Sequence, residues 1–196
     1  MSGDILILGI AGSLRRGSYN RALLKNAGSQ MPDGSRLETF DLDQIPAFNQ
    51  DLEHDLPERV GEFKTRIRQS DGLLLASPEH NFTIPGVLKN AIDWASRPHG
   101  DNSFQGKPVA LMSASTSMLG GARAQYHLRQ AFFYLDVRQV IKPEVFVAFA
   151  REKFDESGRL LDARTNELIK ELLAALVDLA RRSQNEDERL RRRGGA

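Results

Sequence analysis

Short apolar runs alternate with amphipathic segments along most of the chain. Five runs are predicted as strands, and several of them are hydrophobic at consecutive positions instead of every second one. Consecutive hydrophobic positions are typical of strands that are buried on both faces, as in a parallel sheet covered by helices. The predicted strands are residues 4–10, 36–42, 71–77, 108–113 and 137–149, the last broken at Pro143.

The segments between the strands have helical periodicity. In residues 58–69, for example, Val60, Phe63 and Ile67 fall on one face of a helix. Alternating strands and helices favour an α/β fold with a doubly wound parallel sheet and helices on both faces. We expect one domain over residues 1–182, followed by a basic, flexible tail over residues 183–196. The predicted helices are residues 21–27, 58–69, 85–96, 121–135 and 162–182.

The loop after the first strand, residues 12–20, suits a phosphate group; we call it the first loop. It carries two serines, two arginines and an asparagine and leads into a helix. A helix N-terminus offers unpaired N–H groups and a partial positive charge, so these side chains could bind a phosphate monoester there. The loop lacks the Gly-Lys-Ser/Thr ending of a Walker loop and the Gly-x-Gly-x-x-Gly signature. Alternatively, Ser18 or Asn20 simply caps the helix.

The loops after the third and fourth strands complete a pattern. The second loop, residues 77–86, is polar and is stiffened by two prolines. The third loop, residues 113–121, is rich in hydroxyl groups and ends in two glycines, which permit close ligand approach or simply flexibility. Ligands of open parallel sheets bind beyond the carboxyl ends of the strands. One loop for a phosphate and two for a flat ring predict a mononucleotide site, where flavodoxin-like sheets of order 2-1-3-4-5 bind FMN.

Composition and charge exclude several classes of protein. The chain has 196 residues, no cysteine and a net charge of +1. Disulfides, thiolate nucleophiles and cysteine-based metal sites are therefore excluded. His80 does not indicate a metal site either, because no other histidine or cysteine lies near it in the sequence. Residues 181–196 contain six arginines interleaved with acidic residues, so a solvated terminus is expected, although such a tail can also contact nucleic acid or anionic lipid. We expect a cytoplasmic protein with no nucleic-acid or membrane partner.

The three loops and the segments between them resemble the NAD(P)H-dependent FMN reductase family, especially its bacterial chromate and quinone reductase branch. Two positions depart from the family pattern, since His80 stands where tyrosine is usual and Ser117 where glycine is common. The matching pieces are GSLR at 12–15 with Ser18 and Asn20, PEHN at 78–81, PGVLKNAIDW at 85–94, GKP at 106–108, GGAR at 120–123 and YHLR at 126–129.

This resemblance implies a flavodoxin-like fold that binds FMN. The first-loop residues would hold the phosphate, the second-loop residues would border the isoalloxazine mainly through their backbone, and Ser115 would close the other side. Helix 88–96 would contribute to the interface of a homodimer or homotetramer. The implied interface residues are Lys89, Asp93, Trp94, Arg123 and Tyr126. The implied cofactor-binding residues are Ser13, Arg15, Ser18, Tyr19, Asn20, Pro78, Glu79, His80, Asn81 and Ser115.

The activity implied by the resemblance is electron transfer from NADPH or NADH through bound FMN to a small acceptor. Candidate acceptors are a quinone, free flavin, an azo compound, a ferric complex or chromate. Because the flavin carries the chemistry, no catalytic side chain is named. Two alternatives are a non-enzymatic electron carrier resembling flavodoxin and a flavin-free scaffold. The net charge of +1 counts against a carrier, since such carriers are typically acidic for docking to their partners.

Overall fold

The sheet is parallel and has the order predicted for it. The computed structural model describes residues 4–194. The strands are β1 (Ile5–Ala11), β2 (Ser35–Phe40), β3 (Gly72–Ala76), β4 (Pro108–Ala114), β5 (Arg138–Gln139) and β6 (Val145–Val147). They lie in the order β2-β1-β3-β4-β5, and the sixth strand, β6, also pairs with β4. The predicted fifth strand is therefore two strands, because β5 pairs with the start of β4 and β6 with its end.

Helices cover both faces of this sheet, as the continuous apolar strands predict. The helices are α1 (Tyr19–Gly28), α2 (Glu58–Gln69), α3 (Gly86–Ala95), α4 (Ala122–Tyr134), α5 (Ala150–Lys153) and α6 (Ala163–Gly194). Along β3, Leu74 packs with α1 and α6 on one face, whereas Leu73 and Leu75 pack with α2, α3 and α4 on the other. Every residue of β3 is buried, which accounts for its unbroken hydrophobicity.

The last helix differs from the prediction for the end of the chain. α6 continues past residue 182 to Gly194, and residues 195–196 lie outside the described part. Arg138 donates to the Ser183 hydroxyl at 2.9 Å, and the Gln184 amide donates to Asp71 at 2.7 Å. The start of the predicted flexible tail therefore belongs to a helix that contacts the sheet. None of the helices among residues 4–194 is long and apolar enough to span a membrane.

Trp94 holds the long connection between β2 and α2 in place. Its indole N–H donates to the Pro46 carbonyl at 2.8 Å, and its ring packs edge-on against Phe48 with centroids 5.0 Å apart. Asn90, one turn earlier on α3, accepts the Phe48 backbone N–H at 2.7 Å. Because Trp94 is fully buried within its own chain, the implied interface role is wrong for this residue.

Candidate functional site

Three loops meet at the carboxyl edge of the sheet. They follow β1, β3 and β4, which are neighbours in a parallel sheet, so all three leave the same edge. The first and second loops touch at Gly12, where an added Cβ would lie 3.2 Å from the Ser77 hydroxyl and 3.3 Å from the Pro78 ring. A glycine at this position lets the two loops approach closely.

Asn20 joins the first loop to β4. Its side-chain nitrogen donates to the Ala114 carbonyl at 2.9 Å, and its side-chain oxygen accepts the Ala114 N–H at 2.9 Å. The side chain is buried, so these bonds satisfy two backbone groups at the end of the strand. The amide is thus committed to the scaffold, and its geometry favours a positioning role over the predicted phosphate contact.

The rest of the first loop combines a capped helix with two free cations. The Ser18 hydroxyl accepts the N–H groups of Asn20 at 3.2 Å and Arg21 at 3.4 Å, so Ser18 is the N-cap of α1. Arg15 and Arg16 are exposed, and within the described residues neither guanidinium has a carboxylate partner. Two free cations beside a helix N-terminus are suited to an anion.

Two other predicted residues of the first loop have different surroundings. The Ser13 hydroxyl accepts the Arg15 N–H at 3.3 Å and therefore shapes the loop. The Tyr19 ring packs against Phe154, with centroids 5.4 Å apart, beside the core cluster formed by α1 and α6. Ser13 therefore lies within the candidate phosphate loop, whereas the Tyr19 ring is occupied by hydrophobic packing.

The second loop contains a tight turn at residues 80–83. His80 and Thr83 exchange backbone hydrogen bonds of 3.1 and 3.0 Å. The two residues between them, Asn81 and Phe82, have φ of 48° and 65°. Positive φ at both central positions is the pattern of a type I′ turn, which fixes the direction of the chain. The exposed His80 and Asn81 are therefore held on a stiff loop, as the two prolines predict.

Glu79 and Arg123 clamp the second loop to the start of α4. The Glu79 carboxylate accepts the Arg123 Nε–H at 2.7 Å and the Arg123 backbone N–H at 3.1 Å. The Glu79 side chain is only 7% exposed. Its carboxylate thus faces α4, which leaves its backbone as the group available to a ligand. The Arg123 guanidinium thus contacts Glu79 of its own chain, a contact that the resemblance, which implies an interface role for Arg123, did not predict.

The third loop packs against its own start and against the second loop through a glycine pair. Gly120 and Gly121 have φ of 57° and 89°, and a Cβ on Gly121 would lie 2.8 Å from Ser113 Cβ. Only glycine satisfies both constraints without strain. At the start of the loop, the Ser115 N–H donates to the Val147 carbonyl, and the Ser115 hydroxyl accepts the Ser117 N–H at 3.2 Å. Ser115 thus lies at the end of β4, at the edge where the three loops meet.

The three loops lie within a region that is similar to a known protein family. The model of the family described as NADPH-dependent FMN reductase matches residues 5–152, which include all three loops. The chain belongs to the NADPH-dependent FMN reductase family. It is therefore an oxidoreductase of a family that uses FMN and NAD(P)H. A phosphate-compatible loop beside the stiff second loop and the glycine-containing third loop fits such a nucleotide.

Individual relatives are similar over nearly the whole chain. An NAD(P)H-dependent FMN reductase of Pseudomonas aeruginosa is 50% identical over 93% of this chain and 98% of its own length. An NAD(P)H:quinone oxidoreductase of Solanum tuberosum is 44% identical over 90% of this chain and 93% of its own length. Among solved structures, the flavoenzyme NAD(P)H:(acceptor) oxidoreductase FerB of Paracoccus denitrificans has a TM-score of 0.84 at 32% identity, covering 91% of this chain and 98% of that one.

Proposed function

We propose that the chain binds FMN where the three loops meet and reduces quinones with NAD(P)H. The observation that carries this proposal is the contact of all three loops around a capped helix N-terminus, where two arginines have no carboxylate partner among the described residues. Relatives from Solanum tuberosum and Pseudomonas putida are named quinone reductases, which supports a quinone as the acceptor. The overall reaction consumes one quinone, one NAD(P)H and one proton, and it releases the hydroquinone and NAD(P)+.

In this proposal the three loops have distinct tasks. Ser13, Arg15 and the N–H groups at the start of α1 would bind the phosphate, and Asn20 would keep this loop against β4. The backbone of residues 78–81 and Ser115 would border the isoalloxazine. When bound, FMN supplies the hydride and electron transfer. The protein would orient the cofactor and leave one ring face accessible, so no side-chain acid or base is assigned to the reaction.

An FMN titration followed by an activity assay tests this function. We expect the apoprotein to bind FMN one to one and to oxidise NAD(P)H with menadione only when FMN is present. Steady-state data at several fixed menadione concentrations should give parallel double-reciprocal lines, because the donor leaves before the acceptor enters. A protein that binds FMN but is inert to both nicotinamides with every small acceptor would instead be an electron carrier.

We also propose that α4 forms an interface between copies of this chain, giving a homodimer or homotetramer. Phe133 and Tyr134 at its end are both 85% exposed, and Tyr126 lies seven residues before Phe133 on the same face. Exposed aromatic residues on one face mark interaction sites. In sedimentation velocity, Phe133→Glu should shift the protein to the monomer, whereas Leu161→Glu, an exposed apolar control outside α4, should not.

The cellular location is part of the same proposal. We place the protein in the cytoplasm for two reasons. A chain without cysteine forms no disulfides and so does not need an oxidising compartment, and the proposed reaction needs a supply of NAD(P)H. Fractionation of cells that produce the protein, followed by immunoblotting, tests this location. Recovery with the periplasmic or membrane fraction would contradict it.

A further inference from the structure

Phe82 occupies a position that the backbone makes unfavourable for its side chain. It is a central residue of the turn in the second loop, with φ of 65°. Turns of this kind favour glycine or asparagine, because other side chains are strained at positive φ. The ring gains little from burial in return, since Phe82 is 66% exposed. Neither the turn nor the core therefore explains a phenylalanine here, and such outliers are common at functional sites.

The Phe82 ring is nevertheless held in a fixed place. The guanidinium carbon of Arg123 lies 3.7 Å from the ring centroid, within the range of a cation–π contact. Arg123 is in turn fixed by the two hydrogen bonds to the buried carboxylate of Glu79. One face of the ring is covered by this cation, so the exposed area belongs to its other face and its edges.

Phe82 is one of five exposed apolar side chains on the segments of the candidate site, which we call the apolar rim. Exposed hydrophobic side chains come from each of the three loops and from the segment after β6. Phe149 in that segment also has a positive φ, of 51°, and its N–H donates to the Ser117 carbonyl of the third loop. The residues of this rim are Leu14, Phe82, Met118, Leu119 and Phe149. An apolar rim favours an organic acceptor over a small hydrated inorganic anion.

We propose that Phe82 is a specificity-determining residue that stacks its open face on the planar ring of a quinone acceptor. Arg123 is the positioning residue that keeps the phenyl ring in this orientation. The proposal rests on the proposed function, since it requires the acceptor to approach FMN beside the second loop. Aromatic pairs prefer offset or edge-to-face arrangements, and a ring already held in place contributes without first being ordered.

The test compares a planar acceptor, menadione, with an octahedral one, ferricyanide, in the FMN-loaded protein. We expect Phe82→Leu to lower the ratio of kcat/KM for menadione to kcat/KM for ferricyanide about five- to tenfold, mainly by raising the menadione KM. Phe82→Asn, which suits the turn, should lower the ratio as much, whereas Phe82→Tyr should retain it. Arg123→Lys should lower it less than Phe82→Leu, because lysine keeps the charge but not the planar stacking.

Three results would overturn the proposal. One is an unchanged ratio in both Phe82→Leu and Phe82→Asn. Another is an equal fall in Phe82→Tyr, which would mean that the aromatic ring is not what matters. The third is a fall in the ratio that occurs only when sedimentation velocity shows loss of the wild-type oligomer. Failure of the proposed function is distinguishable, because wild-type protein would then not bind FMN or would reduce neither acceptor.

Discussion

Replacing Asn20 by alanine removes the amide that joins the first loop to β4. Two backbone groups of Ala114, its N–H and its C=O, lose partners at 2.9 Å in a buried location. An unsatisfied buried group costs about 1–3 kcal/mol, so the pair should reduce the free energy of unfolding by about 2–4 kcal/mol. For a chain of this size, that corresponds to a fall in Tm of about 5–15 °C.

The same change should weaken FMN binding, because the first loop is no longer fixed before the ligand arrives. We expect a Kd about tenfold higher, as a part of the binding free energy must then order the loop. Asn26 provides a matched control on the same helix. Its amide bridges the Gly158 carbonyl at 2.8 Å and the Leu160 N–H at 3.0 Å, away from the second and third loops.

Thermal unfolding without FMN and a fluorescence titration with FMN separate the two effects. Asn26→Ala should lower Tm by a similar amount but leave the FMN Kd close to the wild-type value. If both variants weaken FMN equally, Asn20 contributes only general stability. If Asn20→Ala retains both its Tm and its Kd, the bridge to Ala114 does not hold the first loop in place.

Three further predictions concern the scaffold. Gly121→Ala forces a Cβ to within 2.8 Å of another side chain at φ 89° and should cost about 2–3 kcal/mol in urea denaturation, whereas Gly86→Ala, with open space around the new Cβ, should cost nothing. Hydrogen bonds from the Thr165 hydroxyl and backbone lower the pKa of Asp162. Its contribution, about 1 kcal/mol as an N-cap, is present above the unfolded pKa of about 3.9 and is lost as pH falls through the lower folded pKa, so the Tm difference between wild type and Asp162→Ala should vanish only in strong acid. Deleting residues 181–196 removes the hydrogen bond from Gln184 to Asp71 and the bonds from Arg138 to Ser183 and Glu186, and it should lower Tm by about 3–8 °C. The FMN Kd should stay unchanged, because the loops lie at the opposite edge of the sheet.

Local patterns sufficed for the elements of this fold. The run at residues 71–77 predicted a buried strand, and β3 is Gly72–Ala76 with every residue buried. The helix predicted at residues 58–69 has those bounds. The strand order 2-1-3-4-5 followed from the mononucleotide site that the three loops predict and not from the strand patterns, because neighbours in a parallel sheet are set by which helix crosses over which face. Whether residues 137–149 form one strand or two also depends on which parts of β4 they pair with, and a local pattern does not show this.

The fine structure of the site depends on contacts between distant parts of the chain. Asn20 and Ala114 are 94 residues apart, and Glu79 and Arg123 are 44 apart, so no local spacing relates them. Loop composition identified the three loops but could not separate residues facing a ligand from those facing the scaffold. Lys64 is a similar case, since a lysine on a helix predicts exposure, yet it is buried beside the Asp101 carboxylate at 2.7 Å.

Affinities for FMN and riboflavin, measured in wild type and Arg15→Ala, test the central claim most directly. The two flavins differ only by the phosphate, which the account places at the first loop beside Arg15, an exposed guanidinium with no carboxylate partner among the described residues. Wild type should bind FMN at least about a hundredfold more tightly than riboflavin, and Arg15→Ala should reduce that preference about ten- to hundredfold without changing riboflavin binding. Equal affinity of wild type for both flavins, or an FMN preference that survives Arg15→Ala intact, would contradict the placement of the phosphate at the first loop.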